Sequence, residues 1–240
     1  MDSTDPLDAL ALRVRGLASV ASGRVVIGIA GSPGAGKSTL AANLVDVLNG
    51  GPPGAVAVPV AVSMDGAVPT DGGARVAVAV PMDGFHLANA TLDRLGLRDR
   101  KGALETFDGW GFLALLTRLR RETAHTVYAP GFDRAVDEPV AGAIAVEPAA
   151  RIVIVEGNYL LCEGEPWGLV REHLDEAWFC AASENERMSR LTARHIAHGR
   201  TPEAAEAWAR EVDGANARII EPTRSHADLV VSGTTGAVLA

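Results

Sequence analysis

The glycine-rich segment GSPGAGKS at residues 31–38 is the feature that most constrains the fold of this chain. It matches the pattern G-x-x-x-x-G-K-[ST] and lies between the apolar run RVVIGIA at 24–30 and the helical pattern KSTLAANLVDVL at 37–48. Such a loop turns backbone N–H groups inward around a phosphate, and the following helix N-terminus adds partial positive charge. The glycine order does not fit the G-x-G-x-x-G pattern of a dinucleotide fold. The segment therefore predicts a nucleotide-phosphate site.

The side chains of this phosphate loop (residues 31–38) have predictable roles. We expect Lys37 to reach the β- and γ-phosphates, the Ser38 hydroxyl to ligate Mg²⁺, and Thr39 to lie near the α-phosphate. The predicted nucleotide-binding residues are Gly31, Ser32, Pro33, Gly34, Ala35, Gly36, Lys37, Ser38 and Thr39. Hydrolases, motors and kinases share such a loop, so other residues must identify the reaction.

Apolar strand patterns alternate with helical patterns along the rest of the chain. We expect strands at 24–30, 76–80, 152–155, 176–180 and 229–232, and helices at 6–21, 37–48, 87–95, 109–123, 184–198 and 202–220. Together with the phosphate loop and the arginine-bearing helix at 184–198, this alternation predicts an α/β fold: a three-layer P-loop NTPase fold with a central parallel sheet, helices on both faces and a helical lid. At 240 residues we expect one domain, residues 1–240.

The region of about 50–75 is an insert rich in Gly, Pro and Val, and an extra hairpin is one interpretation of its turn signals. It contains Asp65 in a Met-Asp-Gly setting. We rank Asp65 below the similar Asp83, because Asp65 lacks the Phe-His pair that follows Asp83.

Two carboxylates follow predicted strands at the edge where ligands bind in open parallel sheets. Asp83, in PMDGFH, is the expected acceptor of a proton from a substrate hydroxyl, and the alternative is a helix cap. His86 places an imidazole at the same rim and is a predicted substrate contact. Glu156 ends the strand RIVIVE and is expected to orient Mg²⁺, and the alternative is a structural carboxylate.

Arginines are concentrated near one predicted helix. Arg187, Arg190 and Arg194 are three and four residues apart, so they share one helix face, and Arg200 follows a Gly-containing break. We expect residues of about 186–202 to form a lid that neutralises charge on the transferred phosphoryl group and excludes water. The alternative is a solvated basic face paired with acidic neighbours.

The stretch of about 96–134 is rich in charged and aromatic residues and poor in periodicity. Long irregular segments in compact domains are usually functional. We expect this stretch to form the site for the phosphate acceptor.

The formal net charge of −8, from 22 basic and 30 acidic residues, argues against a sequence-blind nucleic-acid binder. Cys162 and Cys180 fit no metal or redox spacing and are interpreted as small buried side chains in a reducing compartment. The acidic N-terminus is unlike a signal peptide, and no apolar run approaches the ~20 residues that span a bilayer. We expect a cytoplasmic protein without a nucleic-acid or membrane partner.

The chain resembles the P-loop kinases that include phosphoribulokinase, uridine kinase and bacterial pantothenate kinase. The resemblance covers about residues 24–232 and rests on GIAGSPGAGKSTLA, PMDGFH, RKGALETFD, VYAPGFDR, IVIVEGNYLL and HGRTPEAA. It is closest to a bacterial subgroup labelled nucleoside/nucleotide kinase-like or fructokinase-like. The insert at about 50–75 departs from the family, and the patterns specific for uridine and pantothenate are only partly present.

This resemblance implies ATP and Mg²⁺ as cofactors, Asp83 as the base for the acceptor hydroxyl and Glu156 as the acidic residue of the metal strand. It implies that Arg190, Arg194 and Arg200 are lid residues, of which Arg200 is expected to bind the nucleotide, and that the acceptor is contacted by Lys101, Tyr128 and Arg134. A homodimer is compatible with the family.

The predicted function is therefore transfer of the γ-phosphoryl group of ATP to a hydroxyl of a small metabolite: a sugar, a nucleoside or a pantothenate-like alcohol. The alternative is a nucleotide-dependent regulatory ATPase or switch without a small-molecule acceptor. The segment 98–134 and the single-domain length argue against the switch.

Overall fold

The computed structural model describes residues 5–54 and 75–240, and all elements below belong to these ranges. The helices are α1 (Pro6–Val20), α2 (Lys37–Leu48), α3 (Asn89–Leu95), α4 (Gly109–Arg121), α5 (Glu184–Ala197), α6 (Pro202–Trp208) and α7 (Gly214–Ile220). The strands are β1 (Val25–Ala30), β2 (Ala77–Pro81), β3 (Val127–Asp133), β4 (Glu138–Val146), β5 (Ile152–Glu156), β6 (Glu176–Ala181) and β7 (Leu229–Ser232).

Five strands form a parallel sheet in the order β2-β5-β1-β6-β7. Alternate residues of β1 point to opposite faces: Ile27 and Ile29 pack with α1 and α2, whereas Val26 and Ala30 pack with α4. Both faces are therefore covered by helices, as parallel sheets require. The predicted α/β fold with a central parallel sheet and helices on both faces is confirmed.

The helix ends follow local sequence signals. The Asp5 side chain accepts a hydrogen bond from the Leu7 N–H at 2.8 Å, and Pro6 is the first helical residue of α1. Asp108 caps α4 through the Gly111 N–H at 2.8 Å. Ser183 and Glu186 form a reciprocal capping box at the start of α5.

Arg24 fastens the sheet to the end of α4. Its buried guanidinium donates to the carbonyl oxygens of Leu119 and Glu122, at 3.0 and 3.1 Å, and to those of Glu147 and Ala150, at 3.0 and 2.8 Å. A cation at these carbonyls also complements the helix dipole.

The structure departs from the predicted elements in two places. The segment 127–146, which has no clear periodicity, forms an antiparallel hairpin of β3 and β4 separate from the main sheet, with a register shift between Ala129 and Gly131. The predicted helix 202–220 is interrupted by a π-helical turn, Ala209–Asp213, between α6 and α7. Asp65 and the hairpin suggested for the insert lie outside the described residues.

Among residues 5–54 and 75–240, no helix is long and apolar enough to cross a membrane.

Candidate functional site

The phosphate loop joins β1 to α2 and is tightly enclosed. Gly34 and Gly36 have φ values of +76° and +106°, which side chains of L-residues rarely adopt. A Cβ at Gly34 would lie 2.8 Å from the Arg187 carbonyl oxygen, and one at Gly36 would lie 2.5 Å from that of Gly233. The loop therefore packs against α5 and the residue after β7, and glycine is the residue type that fits.

Lys37 and Ser38, the first residues of α2, face the carboxyl end of the sheet. Lys37 is 8% exposed, and its Nζ donates to the Ser32 carbonyl oxygen at 3.1 Å. Burial lowers the pKa of Lys37, and the nearby Glu156 carboxylate opposes this shift. The Ser38 hydroxyl donates to Glu156 Oε1 at 2.9 Å.

Glu156 is the last residue of β5, and its register partner on β2 is Pro81. Burial raises the pKa of Glu156 to about 6, and the Asp83 charge adds to the rise, whereas Lys37 and Ser38 oppose it. Burial therefore disfavours the ionised form of Glu156, and a cation that binds beside it would stabilise the carboxylate.

Asp83 lies two residues after β2, in the 3₁₀ turn Met82–Phe85. Arg134 Nη2 lies 3.6 Å from Asp83 Oδ2, and about a third of each side chain is exposed. The hairpin of β3 and β4 packs closely on this turn, since a Cβ at Gly84 would lie only 2.3 Å from the Pro130 carbonyl oxygen. The close packing places the end of β3 beside Asp83.

His86 forms part of an aromatic wall next to Asp83. Its Nδ1 donates to the Asp83 carbonyl oxygen at 2.8 Å, and its ring lies 4.0 Å from the Phe107 ring and 4.8 Å from the Phe132 ring. Burial lowers the pKa of His86. Burial therefore favours the neutral imidazole, whose Nδ1–H is already bonded to the Asp83 carbonyl oxygen.

The predicted lid arginines lie in three different environments. Arg194 is half-buried, and its pKa is lowered by burial and by Arg134, whereas Asp83 and Glu156 are among the carboxylates that raise it. Arg190 donates to the carbonyl oxygens of Gly34 and Ala35, at 3.2 and 3.1 Å.

The third, Arg200, stacks on the Trp208 ring at 3.9 Å, between α5 and α6. Arg194 is therefore within electrostatic range of Asp83 and Glu156, whereas Arg190 lies on the phosphate loop and Arg200 lies against α6.

Two predicted acceptor contacts lie away from Asp83 or are already paired. Lys101 Nζ donates to Asn89 Oδ1 at 2.6 Å and to Asp137 Oδ2 at 2.9 Å, so it fastens the tip of the hairpin. Its ammonium group also lies 5.1 Å from the centre of the Phe132 ring. Tyr128 is 60% exposed on β3. Their contacts with an acceptor stay predictions.

Sequence reasoning missed some polar contacts around the site. The Ser32 hydroxyl donates to Glu221, just after α7, and the Asn216 side chain and the Tyr159 hydroxyl both donate to the Gly102 carbonyl oxygen. No local sequence motif predicts these contacts, because each joins residues more than 50 positions apart in the chain.

Comparison with known proteins gives consistent similarities. The model of the phosphoribulokinase/uridine kinase family matches residues 26–238. A candidate uridine kinase of Schizosaccharomyces pombe is 35% identical over 180 residues, which cover 73% of this chain and 68% of that protein. An ATP-dependent kinase-like protein of Aspergillus versicolor is 40% identical over 133 residues, which cover 52% of this chain and 77% of that protein.

A crystal structure of a candidate fructose transport system kinase from Silicibacter sp. TM1040 is 37% identical and superposes with a TM-score of 0.75. The match covers 92% of this chain and 98% of that chain. The YFH7 protein of Saccharomyces cerevisiae, at 22% identity and a TM-score of 0.74, shares the fold.

Proposed function

The chain belongs to the phosphoribulokinase/uridine kinase family of ATP-dependent kinases, and from that premise we propose that it transfers the γ-phosphoryl group of ATP to a hydroxyl of a small metabolite. The main support is the convergence of Lys37, Glu156, Asp83 and Arg194 at one edge of the sheet. Sugars, nucleosides and pantothenate-like alcohols are the proposed acceptor classes.

The oxygen donors at this edge fit magnesium. Within the described ranges, no group of three or more His, Cys, Asp or Glu side chains that could hold a metal ion is present, so an all-protein metal cage does not fit. Magnesium instead takes few protein ligands and completes its shell with phosphates and water. We assign the Ser38 hydroxyl and the Glu156 carboxylate as its protein contacts, because they already lie 2.9 Å apart. Bound there, Mg²⁺ would neutralise charge on the β- and γ-phosphates.

Asp83 is the proposed base. Its carboxylate is half-buried at the sheet edge, near the Lys37 ammonium group, and accessible to a substrate hydroxyl. Arg134 at 3.6 Å orients it, and the neutral ring of His86 provides an apolar wall on the same side. A carboxylate held in this way can accept the hydroxyl proton as the oxygen attacks the phosphoryl group.

Cations stabilise the transferred group in this proposal. Lys37 would exchange its hydrogen bond with the Ser32 carbonyl oxygen for the β- and γ-phosphate oxygens. Arg194 would approach the γ-phosphate from α5. Arg190 holds the outer side of the phosphate loop, and a direct phosphate contact would require it to leave the loop carbonyls.

The hairpin supports a kinase over a nucleotide-dependent switch. It adds Arg134 and Phe132 beside Asp83, on the side of the carboxylate where an acceptor would bind. The homodimer and the cytoplasmic location stay predictions.

The test is a panel of sugars, nucleosides and vitamin-type alcohols with MgATP, followed by ADP release. Asp83→Asn is expected to lower turnover of the active compound by about 10²- to 10⁴-fold, the range for a general base, with MgATP affinity retained. Asp93→Asn, which changes a 62% exposed carboxylate on α3, is the matched control and should retain activity. Full turnover in Asp83→Asn would refute the assignment of the base.

A further inference from the structure

The helical unit formed by α6, the π-helical turn and α7 carries two buried polar side chains toward the site. Asp213 and Asn216 are 7% and 5% exposed and lie three residues apart, so they share one helix face. Buried polar groups cost free energy unless they are paired, so their partners indicate their roles. The π-helical turn ends at Asp213, and such turns are frequent at functional sites.

Asp213 contacts α5, the helix of the predicted lid. His195 Nε2 lies 2.8 Å from Asp213 Oδ2, and the two side chains are 15% and 10% exposed. His195 lies in the last turn of α5 and follows Arg194. The Asp213 charge raises the pKa of Arg194, against the effects of burial and of the neighbouring Arg134. The contact with His195 therefore ties the last turn of α5, which carries Arg194, to the π-helical turn, and the Asp213 charge favours the Arg194 cation.

The guanidinium of Arg194 has hydrogen-bond donors that the described residues do not use. In the part of the chain that the structure describes, its guanidinium makes no hydrogen bond and no ion pair within 4 Å. A guanidinium has five N–H donors. These donors are available to an anion that binds near Asp83 and Glu156.

Asn216 contacts the opposite side of the site. Its Nδ2 donates at 3.1 Å to the Gly102 carbonyl oxygen, which also accepts the Tyr159 hydroxyl at 2.8 Å. Gly102 follows Lys101 in the segment expected to face the acceptor. One helix face is thus bonded both to the lid helix and to this segment.

We propose that Asp213 is a positioning residue for phosphoryl transfer, acting through Arg194, and that Asn216 fixes the segment 98–103 to the same helix face. The proposal rests on the proposed function. The helical unit that carries Asp213 and Asn216 then sets the distance between Arg194 and the segment 98–103. Arg194 and this segment are therefore positioned together.

The experiment measures the affinity for MgADP with fluoroaluminate, a mimic of the phosphoryl group in transfer, and for MgADP alone, by calorimetry. Asp213→Asn keeps the shape and can still accept from His195, so it removes the charge. It is expected to weaken the fluoroaluminate complex about tenfold and leave MgADP affinity unchanged. In an Arg194→Gln background the same substitution should have little effect, because the residue through which it acts is gone.

Glu206→Gln, which breaks an exposed ion pair with Arg210 on the same helical unit, is the matched control and should bind like wild type. His195→Ala, which keeps the carboxylate and removes its hydrogen bond, is the second variant should Asp213→Asn fail to fold. The loss of affinity for the fluoroaluminate complex that His195→Ala causes should likewise disappear in the Arg194→Gln background. Equal losses in both backgrounds would mean a purely structural role and overturn the inference.

Wild-type protein that binds both complexes equally would overturn the proposed function and the inference with it. Wild-type discrimination that Asp213→Asn retains would overturn the inference alone. For the second part, Asn216→Ala should speed amide hydrogen exchange in residues 98–103 about fivefold, through loss of a buried hydrogen bond. Unchanged exchange there would overturn that part.

Discussion

Replacing Glu156 by Gln is expected to stabilise the nucleotide-free protein. Glu156 is 7% exposed, and burial together with the Asp83 charge raises its pKa from 4.5 to about 6. An acid with a raised pKa binds protons more tightly when folded, so the free energy of unfolding falls as the pH rises from about 4.5 to about 6. Above about pH 6, the ionised Glu156 lowers the free energy of unfolding by about 2 kcal/mol. This net shift already includes the attraction of Lys37.

Gln keeps an oxygen that can accept the Ser38 hydroxyl and removes the buried charge. Glu156→Gln should therefore raise the free energy of unfolding by about 2 kcal/mol at pH 7.5 and by less than about 1 kcal/mol at pH 5.0. Urea unfolding followed by circular dichroism at both pH values measures the difference, with the exposed Glu184→Gln on α5 as control. Equal or lower stability of the variant at pH 7.5, or a gain at pH 5.0 as large as that at pH 7.5, would refute this reasoning.

Three further substitutions test other contacts. Gly34→Ala should abolish ATP-dependent thermal stabilisation, because its Cβ would lie 2.8 Å from the Arg187 carbonyl oxygen at a φ of +76°; retained stabilisation in a thermal-shift assay would contradict the loop geometry. Arg24→Met should lower the free energy of unfolding by about 3 kcal/mol, through the loss of four hydrogen bonds to buried or partly buried carbonyl oxygens; a loss below about 1 kcal/mol in urea would contradict this. Lys101→Met should speed proteolysis at the hairpin tip around Asp137, because the ammonium group fastens that turn; unchanged cleavage would show that the ion pair does not hold the tip.

The central sheet and the phosphate loop were predictable because their signals are local. A continuous apolar strand, a glycine loop and an amphipathic helix follow one another within residues 24–48, and parallel strands then place Asp83 and Glu156 at one edge. Predicting Asp83 and Glu156 required only the positions at which two strands end. In the structure the two carboxylates interact electrostatically with each other and with Lys37.

The hairpin was not predictable in the same way. Strand β3 contains Pro130 and Gly131 at its register shift, and the residues of β4 are mostly small or partly exposed, so neither shows a clean two-residue period. Strands β3 and β4 pair with each other and pack on the turn Met82–Phe85, which holds Asp83. For the same reason the ion pair of Lys101 with Asp137 could not be inferred, because it forms only when the hairpin folds back.

The hairpin of β3 and β4 shares no strand ladder with the five-stranded sheet, in the part of the chain that is described. It reaches the site through backbone packing at Gly84 and through Arg134. Mutations along it can change the shape and charge presented to Asp83 without breaking a hydrogen bond of the central sheet. The hairpin's buried residues Val127, Ala129 and Val146 belong to the main core and cannot change freely, whereas its exposed positions can vary without disturbing the strand pairing of the sheet.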